Sequence, residues 1–395
     1  MLVLPLKPAL RYDIMTALAQ WLDSDHHISF DNLKNPLQFI LPKPDFCSVA
    51  CRDELLRLQS LRNSISDILT RPDSHAAALH NSSVWDDLQE YHAVLLEFEK
   101  RGFPAIDDAM TGIQLTWKAA WSDKEKETHA HFPWERSAVL FNIAALYSYK
   151  AATECKPTNR DDCKQAVSYY QTAATIISIL KQLVAPEDFN TIDFSNPLLS
   201  FWESFFLAAA QSNIYRIMSL TGEDDAAKHK NLSGLAQAAH LIYNTALKDT
   251  QDPRLASELS AVCNSEWAPF CKAQAMIHGA KAEYHQAVVH RLSGAWGKEI
   301  ARLRACHDKL LACQEFCDSV EPNNEGVVDY VLRETKAIRP VVYDRLVEVE
   351  KDNYTIYQDT VPKVMEEIPS KQLAKVKEQL PEAMLMTRRT LFASI

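Results

Sequence analysis

Eight glycines in 395 residues are about 2 %, against a usual ~7 %. Tight hairpins need glycine where φ turns positive, and phosphate-binding loops need it where backbone approaches a ligand. The chain has too few for either in quantity, so the expected class is mostly α. The glycines stand at 102, 112, 222, 234, 279, 294, 297 and 326. Neither G-x-G-x-x-G nor G-x-x-x-x-G-K-[ST] passes through them, so the common phosphate cradles are absent.

Lys+Arg total 42 against 52 Asp+Glu, a formal net charge of −10. A nucleic-acid binder carries a basic field, so nucleic acid is disfavoured as a partner. Nine cysteines, odd in number and irregularly spaced, suit a reducing compartment better than a disulfide framework. The N-terminus is apolar for only a few residues before Lys7, too short for a secretory signal. No apolar run reaches the ~20 residues of a membrane span. These features point to a soluble cytosolic protein.

Leu2–Leu6 and Gly112–Trp117 are the only convincing strands, and they are expected to pair in a small N-terminal sheet. Arg71–Ser83 reads as a loop, Val84–Lys100 as a helix, and Ser122–Pro133 as a charged connection. Helical hairpins follow. Trp134–Thr153 turns into Cys163–Val184. The next helix has Ser195 or Asn196 as N-cap, Pro197 in its first turn and Gly222 as its stop. Asn231–Lys248 is helical. Ala273, Ile277, Ala280, Tyr284 and Val288 recur at helical spacing before a break at Gly294–Gly297. Ile300, Leu303, Cys306, Leu310 and Cys313 repeat that spacing on a return helix. The alternation of small and aromatic residues is that of tetratricopeptide-like stacks, without a strict ~34-residue period. A long helix then crosses Pro340, and Asp352–Pro362 reads as extended.

Asn142 is a polar amide inside the apolar run Trp134–Ala152. It either reaches a ligand or is satisfied internally. Charged, loop-like flanks favour a buried strut with Asn142 bonded to a neighbouring helix or loop, since an unpaired buried amide costs ~1–3 kcal/mol.

No catalytic pattern emerges. H-E-x-x-H, G-x-S-x-G and the H-C-x₅-R phosphatase pattern are all missing. Cys306, His307, Cys313 and Cys317 invite a zinc reading, but structural zinc usually needs two ligand pairs on turns. The thiols are expected to line an apolar helix face, and Cys47 and Cys51 likewise. Asp86–Asp87 and Asp107–Asp108 read as solvated surface. The expectation is a non-enzyme with no cofactor and no metal.

Five segments in order carry a resemblance: "LTWKAAW" (Leu115–Trp121), "ERSAVLFNIAALYS" (Glu135–Ser148), "AEYHQAVV" (Ala282–Val289), "GKEIARL" (Gly297–Leu303) and "KDNYTIYQDTVP" (Lys351–Pro362). Together they resemble the Bro-one domain family, the N-terminal module of Alix-like proteins. The resemblance implies a banana-shaped, mostly helical fold with a tetratricopeptide-like core and a small N-terminal sheet. It implies one domain over residues 1–395, with its core at about 2–375 and a tail at 376–395. It also implies a non-catalytic scaffold that binds the C-terminal amphipathic helix of an ESCRT-III subunit. The settings are endosomal sorting, multivesicular body formation and membrane remodelling, with endosomal association through partners and a monomeric isolated domain. The alternative is a Bro-one module of a rhophilin-like Rho effector or another signalling scaffold.

The resemblance places the apolar floor of the helix-binding groove at Ile214, Leu232 and Leu235, with Asp161 and Lys164 on its rim. The residues themselves support Ile214. On Pro197–Leu220, Trp202, Phe205, Phe206, Ala209 and Ile217 form one face. Leu207 and Ile214 lie on the other, among Ser200, Glu203, Ser204 and Gln211, and apolar residues on a polar face suit a helix-in-groove site. Leu232 and Leu235 share a face with Ala239, Tyr243 and Ala246, which by itself reads as core. Tyr357 is a candidate regulatory phosphosite; the alternative is a ring packed on the helical body.

Overall fold

The computed structural model describes residues 2–11, 49–70, 82–100, 114–130, 132–183, 191–320 and 325–386. The loop expected over most of Arg71–Ser83, Cys47, Asp107–Asp108 and the side chain of Cys51 lie outside them. The chain divides into two compact units. A sheet-bearing unit comprises Pro5–Leu146, Leu183–Asp193 and Gln379–Ile395, and a helical-stack unit Met1–Leu4, Tyr147–Gln182 and Phe194–Glu378.

In the sheet-bearing unit α1 (Val49–Leu69) packs on α2 (Ser82–Lys100), followed by β1 (Leu115–Ala119) and β2 (Ser122–His129). The two strands pair antiparallel, Leu115 opposite His129 and Trp117 opposite Glu127, with an irregularity at Lys118/Ala119. Ser122–His129 is therefore a strand and not the expected connection. Its charges sit on an edge strand, where they discourage further pairing. Leu2–Leu6 is no strand, although Leu2, Leu4 and Leu6 are buried as alternation demanded. Instead the segment after it flanks β1: Leu10 N–H donates to Thr116 O (3.0 Å) and Lys118 N–H to Pro8 O (2.8 Å). A two-residue connection closes the β1–β2 pairing with far less loop entropy than a partner ~110 residues away.

α3 (Phe132–Thr153) contributes to both units. Asn142 is fully buried and satisfied by the N-terminal segment. Its Oδ1 accepts from Lys7 N–H (2.6 Å), while Nδ2 donates to Lys7 O and Ala138 O (3.0 Å each). Glu135, also buried, accepts from Arg62 Nε (2.8 Å), Tyr91 OH (2.9 Å) and Trp117 Nε1 (2.6 Å). A lone buried carboxylate would cost several kcal/mol, and these donors offset that cost. Asp193 is held likewise by the Lys7 ammonium and by Ala120 N–H.

The helical stack comprises α4 (Arg160–Leu183), α5 (Asn196–Ser219), α6 (Ala226–Asp249), α7 (Ala268–Leu292), α8 (Trp296–Ser319) and α9 (Glu325–Asp352). From α5 onward each helix packs on the next. Ser195 caps α5 by accepting from Leu198 N–H, Pro197 opens its first turn, and Gly222 takes φ +82° after its end. Phe201 stacks on Trp267, ring centroids 4.6 Å apart. Ala273, Ile277 and Ala280 of α7 share one cluster with Ile300, Leu303, Cys306, Leu310, Cys313 and Cys317 of α8. The thiols thus line an apolar face. Pro340 lies inside α9. Asn353–Tyr357 is a π-helical turn ending at Gln358, φ +51°, so the extended run begins later than Asp352. A short helix, α10 (Glu382–Leu385), follows and packs on α2.

Candidate partner-binding site

Leu207, Gln211 and Ile214 follow one another at spacings of four and three on α5, so they share a face. Leu207 and Ile214 are half-buried. Gln211 is fully buried, which corrects its reading as a solvent-side residue. Its Nε2 donates to Leu235 O (3.2 Å) and Lys371 O (3.0 Å), and its Oε1 accepts from Leu373 N–H and Ala374 N–H (3.0 Å each). One amide therefore ties α5 to α6 and to an extended strap that follows Gln358.

The strap continues across the stack. Lys371 N–H donates to Gly234 O (2.9 Å), and Lys377 N–H to Thr175 Oγ1 on α4 (2.8 Å). Gly234 permits the close crossing, since a Cβ there would lie 3.0 Å from Lys371 Cβ and 3.1 Å from Pro369 O. Gly297, at the head of α8, permits another. A Cβ would sit 2.2 Å from Thr360 O, and its own N–H donates to Asp359 Oδ2 (2.8 Å).

Leu232 and Leu235 are core residues, 2 % and 0 % exposed. They cluster with Tyr215, Ala236, Ala282 and the strap's Ile368, and Ile214 and Met218 pack against that cluster. Of the three expected floor residues only Ile214 reaches the surface; Leu232 and Leu235 lie in the buried cluster it packs against. Their shared face with the buried Ala239 and Tyr243 matches a core pattern. The strap supplies the reason, since Ile368 covers the cluster from outside α6.

Asp161 and Lys164 stand on the first turn of α4, exposed and paired with each other at 2.8 Å. Lys164 draws the Asp161 carboxyl below its ordinary range by hydrogen bond and charge. No bond joins either residue to the α5 face among the described residues. Tyr357 is 42 % exposed and stacks on Trp296 at 4.3 Å. Its ring therefore packs on the helical body.

A polar chain that the sequence reading did not anticipate runs beside this cluster. Asp224 Oδ1 meets His229 Nε2 (2.7 Å), the two Nδ1 atoms of His229 and His285 lie 2.9 Å apart, and Tyr215 OH meets His285 Nε2 (2.8 Å). Burial chiefly, with His229 beside it, pushes His285 down to about 3, so its ring is neutral. No signal reveals this chain in sequence, because its members are spread over three helices and the turn before α6.

Among the described residues, no cluster of three His, Cys, Asp or Glu side chains is placed to hold a metal ion. No described helix is long and apolar enough to cross a membrane.

Comparison with known proteins places this architecture. The sequence profile of the family described as BRO1-like domain matches residues 1–395. Programmed cell death 6-interacting protein of Xenopus laevis is 26 % identical over 383 residues, 94 % of this chain and 38 % of that protein. The vacuolar protein-sorting protein bro-1 of Neurospora crassa is 25 % identical over 78 % of this chain and 30 % of its own length. The chain thus spans about a third of the length of these relatives. A solved ALIX BRO1 CHMP4C complex superposes with a TM-score of 0.74 at 21 % identity, covering 100 % of this chain and 99 % of that one. A second structure, described as the basis for endosomal targeting by the Bro1 domain, gives a TM-score of 0.73 at 15 % identity, covering 95 % and 92 %.

Proposed function

The chain belongs to the BRO1-like domain family, and from that premise we propose that it is a non-catalytic scaffold that binds the C-terminal amphipathic helix of an ESCRT-III subunit. The α5 face bearing Leu207 and Ile214 is the docking surface. It carries two apolar side chains two turns apart, both half-buried. The likeness to a BRO1 domain solved with CHMP4C supports the reading, as does the vacuolar-sorting relative. In this reading Leu207 and Ile214 contact the apolar stripe of the partner helix, Leu232 and Leu235 hold Ile214 in place, and Asp161 and Lys164 form a charged rim. Through such partners the protein acts in endosomal sorting.

An aliphatic anchor in a helix groove is worth ~2 kcal/mol or more, so Ile214→Asp should weaken binding at least ~30-fold. The test titrates a labelled C-terminal ESCRT-III peptide against wild type, Ile214→Asp and Phe206→Asp, with thermal melts alongside. Phe206 is fully buried, so its variant should lose the fold. A folded Ile214→Asp protein that binds like wild type would remove the site from α5.

A further inference from the structure

On the side of α6 that faces α7, α8 and the strap lies a cavity of about 400 Å³. Its wall carries an excess of cations: Lys230 from α6, Lys298 and Arg302 from α8, and Lys371 from the strap, against Glu366 and Glu367. Lys371 bonds Asn231 Oδ1. Lys230 and Lys298 make no ion pair among the described residues, so both ammonium groups are available. Lys298 also stands in the opening turn of α8, where the backbone field is positive.

One buried donor on this wall has no acceptor among the described residues. Arg302 is 6 % exposed; its Nη1 donates to Glu283 Oε2 (2.9 Å) and its Nη2 to Glu366 O, yet its Nε–H has no partner. His290, on the last turn of α7, lines the same cavity, and its Nε2 is likewise buried and unpaired. Buried polar groups in folded proteins are nearly always hydrogen-bonded, so the unpaired Arg302 Nε–H on a basic wall marks a place for an acceptor. Burial first, then Arg302 and Lys298, push the His290 pKa down while Glu366 opposes them.

We propose that this cavity binds a phosphate monoester carried on a small polar group, held by Lys230, Lys298 and Arg302. A dianion matches two free ammonium groups and an unpaired guanidinium N–H better than a single carboxylate, which one cation would neutralise. The volume falls within the usual ~300–1,000 Å³ of small-molecule sites. The rest of the wall includes Asn231, Ser233 and Gln286, which suits hydroxyl groups on the carrier. Because the strap forms one side, a partner helix cannot enter and a compact ligand can. The same chemistry is offered by a soluble sugar phosphate and by a phosphoinositide head group.

Calorimetric titration of the full chain with inorganic phosphate and with inositol trisphosphate tests this, together with flotation on phosphatidylcholine vesicles with and without phosphatidylinositol bisphosphate. The expected result is one site for a soluble probe that weakens as salt rises. Lys230→Glu and Lys298→Glu should each reduce affinity at least ~10-fold at an unchanged melting temperature. Inositol trisphosphate binding well above phosphate, with capture on the phosphoinositide vesicles, assigns the site to a head group. Near-equal affinity without vesicle capture assigns it to a small free ester. No soluble probe binding, vesicle capture alone, or affinity unchanged in both variants would each overturn the proposal.

Discussion

Gln211 shows how one residue decides what a surface becomes. A glutamine among Ser200, Glu203 and Ser204 reads as solvated, yet its amide is fully buried with four partners, three of them in the strap. Each orphaned buried group costs ~1–3 kcal/mol, so Gln211→Met should lose about 3 kcal/mol and speed amide exchange over residues 370–377. Unchanged exchange there would mean that the strap is held elsewhere. His92 makes a second prediction. Its ring is 1 % exposed, Nδ1 donates to Met384 O (2.8 Å), and burial pushes its pKa down to about 4. The unfolded value is ~6.5. Between those values the unfolded chain holds a proton that the native state lacks, so stability falls as pH falls. The contribution is complete above about pH 6.5, lost below about pH 4, and worth about 3 kcal/mol. His92→Phe should flatten the dependence of melting temperature on pH across this window; an unaltered slope would sink the assignment. Among tyrosines, Tyr354 is 84 % exposed whereas the Tyr357 ring is stacked on Trp296. A tyrosine kinase should therefore modify Tyr354 before Tyr357, and mass spectrometry of a time course reads the order. If Tyr357 leads, its stacked ring opens easily and its case as a regulatory phosphosite is strengthened.

At the scale of elements, the limits of α5 were readable in the residues, whereas α6 begins at Ala226 behind an Asp225 cap and not at the expected Asn231, and sheet partners were not readable. Ser195, Pro197 and Gly222 delimit α5 because capping and left-handed stops are local chemistry. Strand pairing is not local: β1 takes β2 on one side and residues 8–10 on the other. Gly297 is where an element meets the strap most tightly. With Thr360 O 2.2 Å from the position of a Cβ, Gly297→Ala must displace backbone and should cost at least ~2 kcal/mol. Gly326, near the start of α9, has nothing within 4 Å. There alanine should be neutral or stabilising by up to ~1 kcal/mol. Denaturant melts of the two variants side by side check the contrast, and equal losses would show that close approach is not the cause.

For the whole molecule, α3 has Phe132–Leu146 in one unit and Tyr147–Thr153 in the other. Melting either half would fray the helix that serves the second. We therefore expect one domain over the chain and a single calorimetric transition; two resolved peaks would divide it. The helical class, the succession of helices, the apolar role of Cys306, Cys313 and Cys317 and the internal satisfaction of Asn142 were determined by the sequence itself. Glycine content, periodicities of three to four and caps act within a few residues, and a buried amide must find a partner whatever the topology. What the tertiary structure alone decided is which faces remain open. Gln211 bonds residues 160 and more positions away, and Leu232 and Leu235 are covered by Ile368. A residue's exposure depends on which distant segment crosses it, and no local pattern encodes that crossing.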